Sequence, residues 1–363
     1  MELFDNLMIG FSTALQWNNL LFCLIGTLIG TMIGVLPGIG PVPTVALLLP
    51  FTFGMSPASG FIMLAGIFYG AQYGGSTTAI LVNIPGETSS VVTCLDGHQI
   101  ARKGRAGTAL AIAALASFFA GTIATIVIAL LSGPLSKLAL SFTAVEFFSL
   151  MVLGLVAAVI LAHGSVVKSL AMIGLGLLLG IVGIDVNSGA ERMTFNIPEF
   201  ADGLGFVSVA MGFFGIAEII TNIEKPSQRV IVSQKMKDLF PSLADLKLAF
   251  PAALRGTAIG SILGVLPGGG AALPPFTAYA IEKKIARDPS RFGHGAIEGV
   301  ASPEAANNAG AQTSFIPLLT LGIPSNALMA LMIGAMIIQG IQPGPQIMVE
   351  QKELVWGVIA SMW

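Results

Sequence analysis

Fifteen residues of this chain occur twice. Gly26-Thr27-Leu28-Ile29-Gly30-Thr31-Met32-Ile33-Gly34-Val35-Leu36-Pro37-Gly38-Ile39-Gly40 returns 230 positions later as Gly256-Thr257-Ala258-Ile259-Gly260-Ser261-Ile262-Leu263-Gly264-Val265-Leu266-Pro267-Gly268-Gly269-Gly270, with ten of the fifteen positions identical. Both copies run apolar into a Pro-Gly break where a helix cannot continue. Any fold for this chain must house two related helices that each stop inside an apolar segment.

The surrounding medium follows from composition. The 363 residues are 54% hydrophobic and 10% charged, against about 25% charged in a soluble domain. The runs Thr108 to Leu131, Leu138 to Ala162, Val166 to Ile184 and Leu204 to Thr221 approach or exceed the roughly 20 helical residues that cross a bilayer core. They recur along the chain and the N-terminus has no basic region, so none reads as a cleaved signal. A net charge of −2, with basic residues in short loops, implies no nucleic-acid partner. Cys23 and Cys94 have neither CxxC nor metal-ligand spacing and read as packing residues. The 44 glycines and 20 prolines among apolar residues point to broken helices and close helix contacts.

Loop charges orient the segments. Residues 1–16 suit a short interfacial helix, and no Lys or Arg precedes Arg102, which places the N-terminus outside. Two arms, Gly26 to Leu36 and Thr44 to Phe53, are about 16 and 15 Å long and each is expected to reach halfway across. A second broken stretch, Gly60 to Val92, is interrupted at Tyr73 to Thr78 and at Asn83 to Glu87, and ends in the basic loop Arg102, Lys103, Arg105. After four spans, an acidic loop (Asp185, Glu191, Glu199, Asp202) and the basic stretch Ile223 to Arg255, the second copy begins from the cytoplasm. There the basic loop (Lys283, Lys284, Arg287, Arg291) follows the first broken stretch instead of the second. The charge has changed sides, so the copies are read as inverted in the membrane.

The second halves match less closely: Gly74 to Ile80 with Gly310 to Ile316, and Ile84-Pro85 with Ile323-Pro324, at offsets of 236 and 239. The expected organisation is an interfacial segment 1–16, a first repeat 17–105, scaffold spans 106–222, a basic cytoplasmic connection 223–255, a second repeat 256–350 and the start of a further span at 351–363, which reads as an incomplete C-terminus. The fold class is an all-α polytopic membrane protein built from two inverted-topology repeats with broken, re-entrant helical hairpins.

Backbone groups freed at a break in hydrocarbon cost several kcal/mol each unless protein or a hydrated cavity satisfies them. Paired breaks in inverted repeats are the pattern of a secondary transporter with its site at the midplane. Helix N-termini there suit an anion, and carbonyls at C-terminal ends suit Na⁺. The candidate substrate-binding residues are Gly38, Gly40, Ser76, Thr77, Thr78, Asn83, Pro85 and Gly86 in the first copy. In the second they are Gly268, Gly269, Gly270, Asn307, Asn308, Thr313, Pro324, Ser325 and Asn326. The Na⁺ candidates are Gly38, Thr77, Asn83, Gly268, Asn308 and Thr313. For any single one, helix–helix hydrogen bonding or capping stays open. Glu87 and Glu304 are secondary candidates for proton or cation coupling, with an interfacial or capping role equally open. His98, His163 and His294 fall near loops. Gly269-Gly270 lacks the Gly-Lys-Ser/Thr of a phosphate loop, so no nucleotide or other cofactor is expected.

Taken together, Gly34 to Gly40, Tyr69-Gly70 through Thr78, Asn83-Ile84-Pro85-Gly86-Glu87, Gly264 to Gly270 and Pro303-Glu304-Ala305-Ala306-Asn307-Asn308-Ala309 resemble the large membrane subunit of the tripartite tricarboxylate transporter family. The resemblance covers nearly the whole chain. It implies a bacterial inner-membrane symporter driven by Na⁺ or protons, receiving citrate or a related di- or tricarboxylate from a periplasmic binding protein and working with a small four-span membrane subunit. Similarity to other carboxylate transporters with paired hairpins implies an elevator motion past a scaffold. Transport of another small organic anion, or a passive anion channel, is the alternative, though a pore predicts charged rings or a continuous polar face. An enzyme is not expected, because no metal cluster or nucleophile–base pair falls within the spans.

Overall fold

The computed structural model describes residues 2–36, 40–161, 165–184, 190–201, 203–204, 209, 211–216, 220, 240–266 and 273–363. Among them the chain is helical, apart from a two-residue antiparallel pairing of Gly183–Ile184 with Glu191–Arg192. Three helical stretches are long and apolar enough to cross a membrane: Trp17–Val35, Thr88–Ala139 and Leu243–Val265. The large side chains left exposed, such as Trp17, Met32, Phe51, Phe118 and Phe148, form the apolar exterior that a lipid-facing protein presents.

Helix α1 (Glu2–Ala14) docks on the last helix of the chain, with Gly10 against the Trp356 carbonyl. Helix α2 (Trp17–Val35) starts nine residues before the repeated motif, and its 19 residues span about 28 Å. The first arm is therefore a full crossing, not the half-length arm expected from Gly26 to Leu36. Gly40 (φ 63°) then redirects the chain into α3 (Pro41–Leu48), whose Pro41 sits where a helix has no N–H to satisfy, and a 3₁₀ turn runs on to Gly54. Ser56 caps α4 (Pro57–Val82), which ends at Asn83 in the left-handed conformation. Helix α4 passes unbroken through Tyr73 to Thr78, so the expected interruption there is absent; the one at Asn83 to Glu87 is present. Helix α5 (Val91–Ile100) and α6 (Ala106–Ala139) complete this part. The expected span Leu138 to Ala162 is broken ahead of α7 (Ala144–Leu161). Helix α8 (Val166–Gly180) has 15 residues, fewer than a crossing needs. Half of Leu204 to Thr221 lies outside the described residues.

Helix α9 (Leu243–Val265) opens with a capping box between Ser242 and Asp245 and carries the second copy of the motif. It is followed by α10 (Leu273–Ile285), α11 (Glu298–Thr313), α12 (Phe315–Leu321), α13 (Ala327–Ile338), α14 (Ile347–Glu350) and α15 (Lys352–Ser361).

The repeated glycines are contact points. A Cβ on Gly26, Gly30 or Gly34 would collide with the carbonyls of Met63, Ile67 and Ala71, so α2 and α4 run parallel, backbone to backbone. Gly256, Gly260 and Gly264 meet the carbonyls of Ser302, Ala306 and Gly310 in the same way, which makes α9 and α11 parallel. In lipid, small residues four apart permit this close approach. These contacts pair Ala71 with Gly310, an offset of 239, and the left-handed Asn83 with the left-handed Gly322 at the same offset. The second halves thus correspond at one constant offset, and the 236 expected for Gly74 to Ile80 is corrected by nearly one helical turn. Between the pairs, Ser76 meets Glu304 and Tyr69 meets Gln312, so α4 and α11 cross antiparallel, and Phe68 meets Phe315 at the start of α12.

Candidate functional site

At this crossing a carboxylate is buried among hydroxyls. Glu304 is 1% exposed, and small neighbours on its helix, Ala301, Ala305 and Ala309, let three other helices approach it. Each supplies one hydroxyl. Ser76 of α4 donates at 2.8 Å, Thr93 of α5 donates through a short bond, and Ser117 of α6 lies at 3.5 Å. One turn along, the Asn308 amide donates to Ser117 Oγ at 2.7 Å and to the Glu304 carbonyl at 3.0 Å. A cavity of about 220 Å³ opens beside them, lined in part by Tyr69, Tyr73, Ser117, Asn308 and Gln312.

The second carboxylate is placed by the break. After Asn83 the chain doubles back until the Gly86 N–H reaches the Gly75 carbonyl at 3.5 Å, and Gly86 is squeezed between Gly34 and Gly75. Glu87 then caps the 3₁₀ turn Thr88–Ser90, and its side chain lies against Gly75 of α4. Ser89 donates to the Glu87 carboxylate and lies 3.0 Å from Gln72 Oε1. Asn307 stands beside Glu87, within reach of whose charge Glu304 also lies.

The residues expected to form the site divide into four groups. Ser76 and Asn308 reach the Glu304 cluster, and Asn307 and Gly86 reach Glu87. Others are bound locally. Thr77 donates to Tyr73 on its own helix and Thr313 to Ala309, while Thr78 bonds the Val35 carbonyl at the end of α2. Ser325 reaches the Ser314 carbonyl at 3.3 Å, and Asn326 caps α13 by accepting from Met329. Asn83 and Pro324 are exposed, Pro85 is half-buried, and Gly40 has open space around its α-carbon. Gly38, Gly268, Gly269 and Gly270 lie outside the described residues, as do the Pro37 and Pro267 turns.

Sequence reasoning missed Gln72, Thr93 and Ser117, and it gave Glu87 and Glu304 second rank. An acidic residue in the apolar, proline-marked run around Pro303 was the available signal. It also missed Asp96. This buried residue accepts from the backbone N–H groups of Gly293, Gly295 and Ala296 at 2.9, 2.7 and 2.8 Å and from Tyr279 at 2.9 Å, which anchors α5 to the loop before α11. His98 contacts the Ile80 carbonyl at 3.0 Å, the His294 carbonyl accepts from Lys103 at 2.6 Å, and His163 lies outside the described residues. Among the described residues no group of three or more His, Cys, Asp or Glu side chains could hold a metal ion.

Residues 20–363 match the family model described as the tripartite tricarboxylate transporter TctA family. The chain belongs to the TctA family. A relative from Agrobacterium vitis, described as an uncharacterised 52.8 kDa protein in the 3′ region of TAR-I ttuC′, is 57% identical over all 363 residues, which span 72% of that protein. A second A. vitis protein, an uncharacterised one in the 3′ region of TAR-II ttuC′, is 64% identical over 104 residues, 29% of this chain and 43% of its own length. No solved structure matches. Family membership and the apolar helices make this TctA-family chain a multi-pass membrane subunit of a tripartite tricarboxylate transporter, a system with further subunits and a binding protein.

Proposed function

We propose that the protein is the membrane subunit of a cation-coupled secondary transporter that imports a di- or tricarboxylate such as citrate across the bacterial inner membrane. A periplasmic binding protein delivers the substrate, and a small four-span subunit completes the assembly. The single observation that carries this reading is the crossing of two like-built helix pairs at Glu304, a buried carboxylate lined by hydroxyls, beside the half-buried Glu87. Pair α2/α4 and pair α9/α11 are each internally parallel and mutually antiparallel. That geometry supports an inverted repeat, because a two-fold axis in the membrane plane reverses one pair relative to the other.

The charges agree with it. Arg105, after the first pair, binds Asp245 at the start of α9 at 2.5 Å, and Arg291 binds Glu298 at the start of α11 at 2.5 Å. Pair α9/α11 thus begins on the basic side, which the distribution of Lys and Arg makes cytoplasmic. An elevator motion carries the paired hairpins past a scaffold that includes α7 and α8. Buried carboxylates repel an anionic substrate unless a cation or proton accompanies it, which favours symport over a passive anion channel.

Uptake of labelled citrate into reconstituted vesicles tests this. Uptake is expected to collapse with the Na⁺ and proton gradients; uptake that persists without them overturns symport, and uptake of other small organic anions without citrate replaces the substrate class.

A further inference from the structure

No Lys, Arg or His among the described residues contacts Glu304 or Glu87, so no basic side chain balances either carboxylate when it is ionised. The partners of Glu304 are the hydroxyls of Ser76, Thr93 and Ser117, and those of Glu87 are Ser89 and the side chain of Asn307, apart from backbone. Withdrawing a carboxylate from water costs several kcal/mol even after relaxation, and hydroxyl dipoles offset only part of that.

A separate observation points to what offsets the rest. Asn307 is 2% exposed, and although its side chain lies within hydrogen-bonding range of Glu87, to which only Nδ2 can donate, its Oδ1 accepts from no donor among the described residues. Buried side-chain amides nearly always find partners, and an amide carbonyl left free beside two carboxylates is the ligand a hard cation takes. The shell available is all oxygen, with two charged members and the rest neutral, and it draws on both helix pairs.

We propose that a Na⁺ ion binds between Glu87 and Glu304, with Asn307 Oδ1 and the hydroxyl oxygens of Ser76 and Thr93 as further ligands. This assignment rests on the cation-coupled reading and names the side chains that would carry it. It replaces the expected Na⁺ candidates Gly38, Thr77, Asn83, Gly268, Asn308 and Thr313 with other side chains at the crossing. Because Glu87 follows the break of the first pair and Glu304 lies within the second, one ion would tie the two pairs together whenever it is bound.

The test is Na⁺ binding to the full protein in detergent, measured with ²²Na⁺ and as the rise in thermal unfolding temperature in NaCl over choline chloride. Glu87→Gln and Glu304→Gln are expected to weaken binding by about tenfold or more, as loss of a ligand does. Asn307→Ala, which keeps both carboxylates, is expected to do so in protein that stays folded and monodisperse. Wild-type protein that binds no Na⁺, or that binds K⁺ equally well, overturns the site. Na⁺-driven citrate uptake together with undiminished binding in Asn307→Ala and Glu304→Gln overturns the site and leaves the transport reading standing. Binding lost in the variants while uptake ignores every cation gradient upholds the site and overturns symport.

Discussion

Single residues here differ chiefly in whether their polar atoms are used up locally. Asn308 joins α6 to α11 by donating to Ser117, so Asn308→Ala removes a bond between helices. Transport is expected to fall up to about tenfold, the worth of one buried hydrogen bond, with membrane content unchanged on immunoblots. Thr77 spends its hydroxyl on its own helix, so Thr77→Ala is expected to transport within about twofold of wild type in the same assay. Asp96→Ala would strand the three backbone donors of Gly293, Gly295 and Ala296. At about 1–3 kcal/mol for each stranded donor, thermal unfolding should show a loss on the order of 3 kcal/mol or more. The residue types at the crossing were legible in the sequence but this ranking was not, because the partners of Ser76 and Asn308 lie 228 and 191 positions away whereas that of Thr77 lies four away.

The helices carry the lesson of the glycines. Gly74 and Gly75, followed by Ser76, Thr77 and Thr78, read as a break because such residues disfavour a helix in water. In the fold Gly74 lies against the Thr31 carbonyl and Gly75 beneath the Glu87 side chain, so both mark close approach within one continuous helix. A methyl group tests this at the repeated positions. Gly30→Ala would drive into the Ile67 carbonyl and Gly260→Ala into that of Ala306, whereas Gly133→Ala meets open space. The first two are expected to lower stability by about 1–3 kcal/mol through overpacking, seen as a lower unfolding temperature in detergent, and the third to leave it unchanged.

For the whole molecule, several polar joints between the halves gather at the basic side: Arg105 with Asp245, Lys103 with the His294 carbonyl, and Asp96 with the loop before α11. Arg105 is half exposed, so its ion pair contributes only about 0.2–1 kcal/mol and records arrangement more than stability. The arrangement can be checked by labelling. With Cys23 and Cys94 replaced by alanine, Lys284→Cys is expected to react with an impermeant maleimide only after the membrane is opened to the cytoplasmic side. Gly54→Cys, on the opposite side, is expected to react in intact cells. Equal labelling of both from outside would remove the inverted reading.

By itself the sequence determined the medium, the repeated motif and the places where helices must stop, since hydropathy and the limits of Pro and Gly act within a few residues. The Asn83 break and the ends of α2 and α9 were legible for that reason. Only the tertiary structure decided that α4 continues through its glycines, that the second halves correspond at 239 positions, and that Ser76, Thr93 and Ser117 gather on Glu304. Those outcomes depend on which backbone a glycine abuts and which helix brings a hydroxyl, and such contacts across the fold leave no local pattern in the chain.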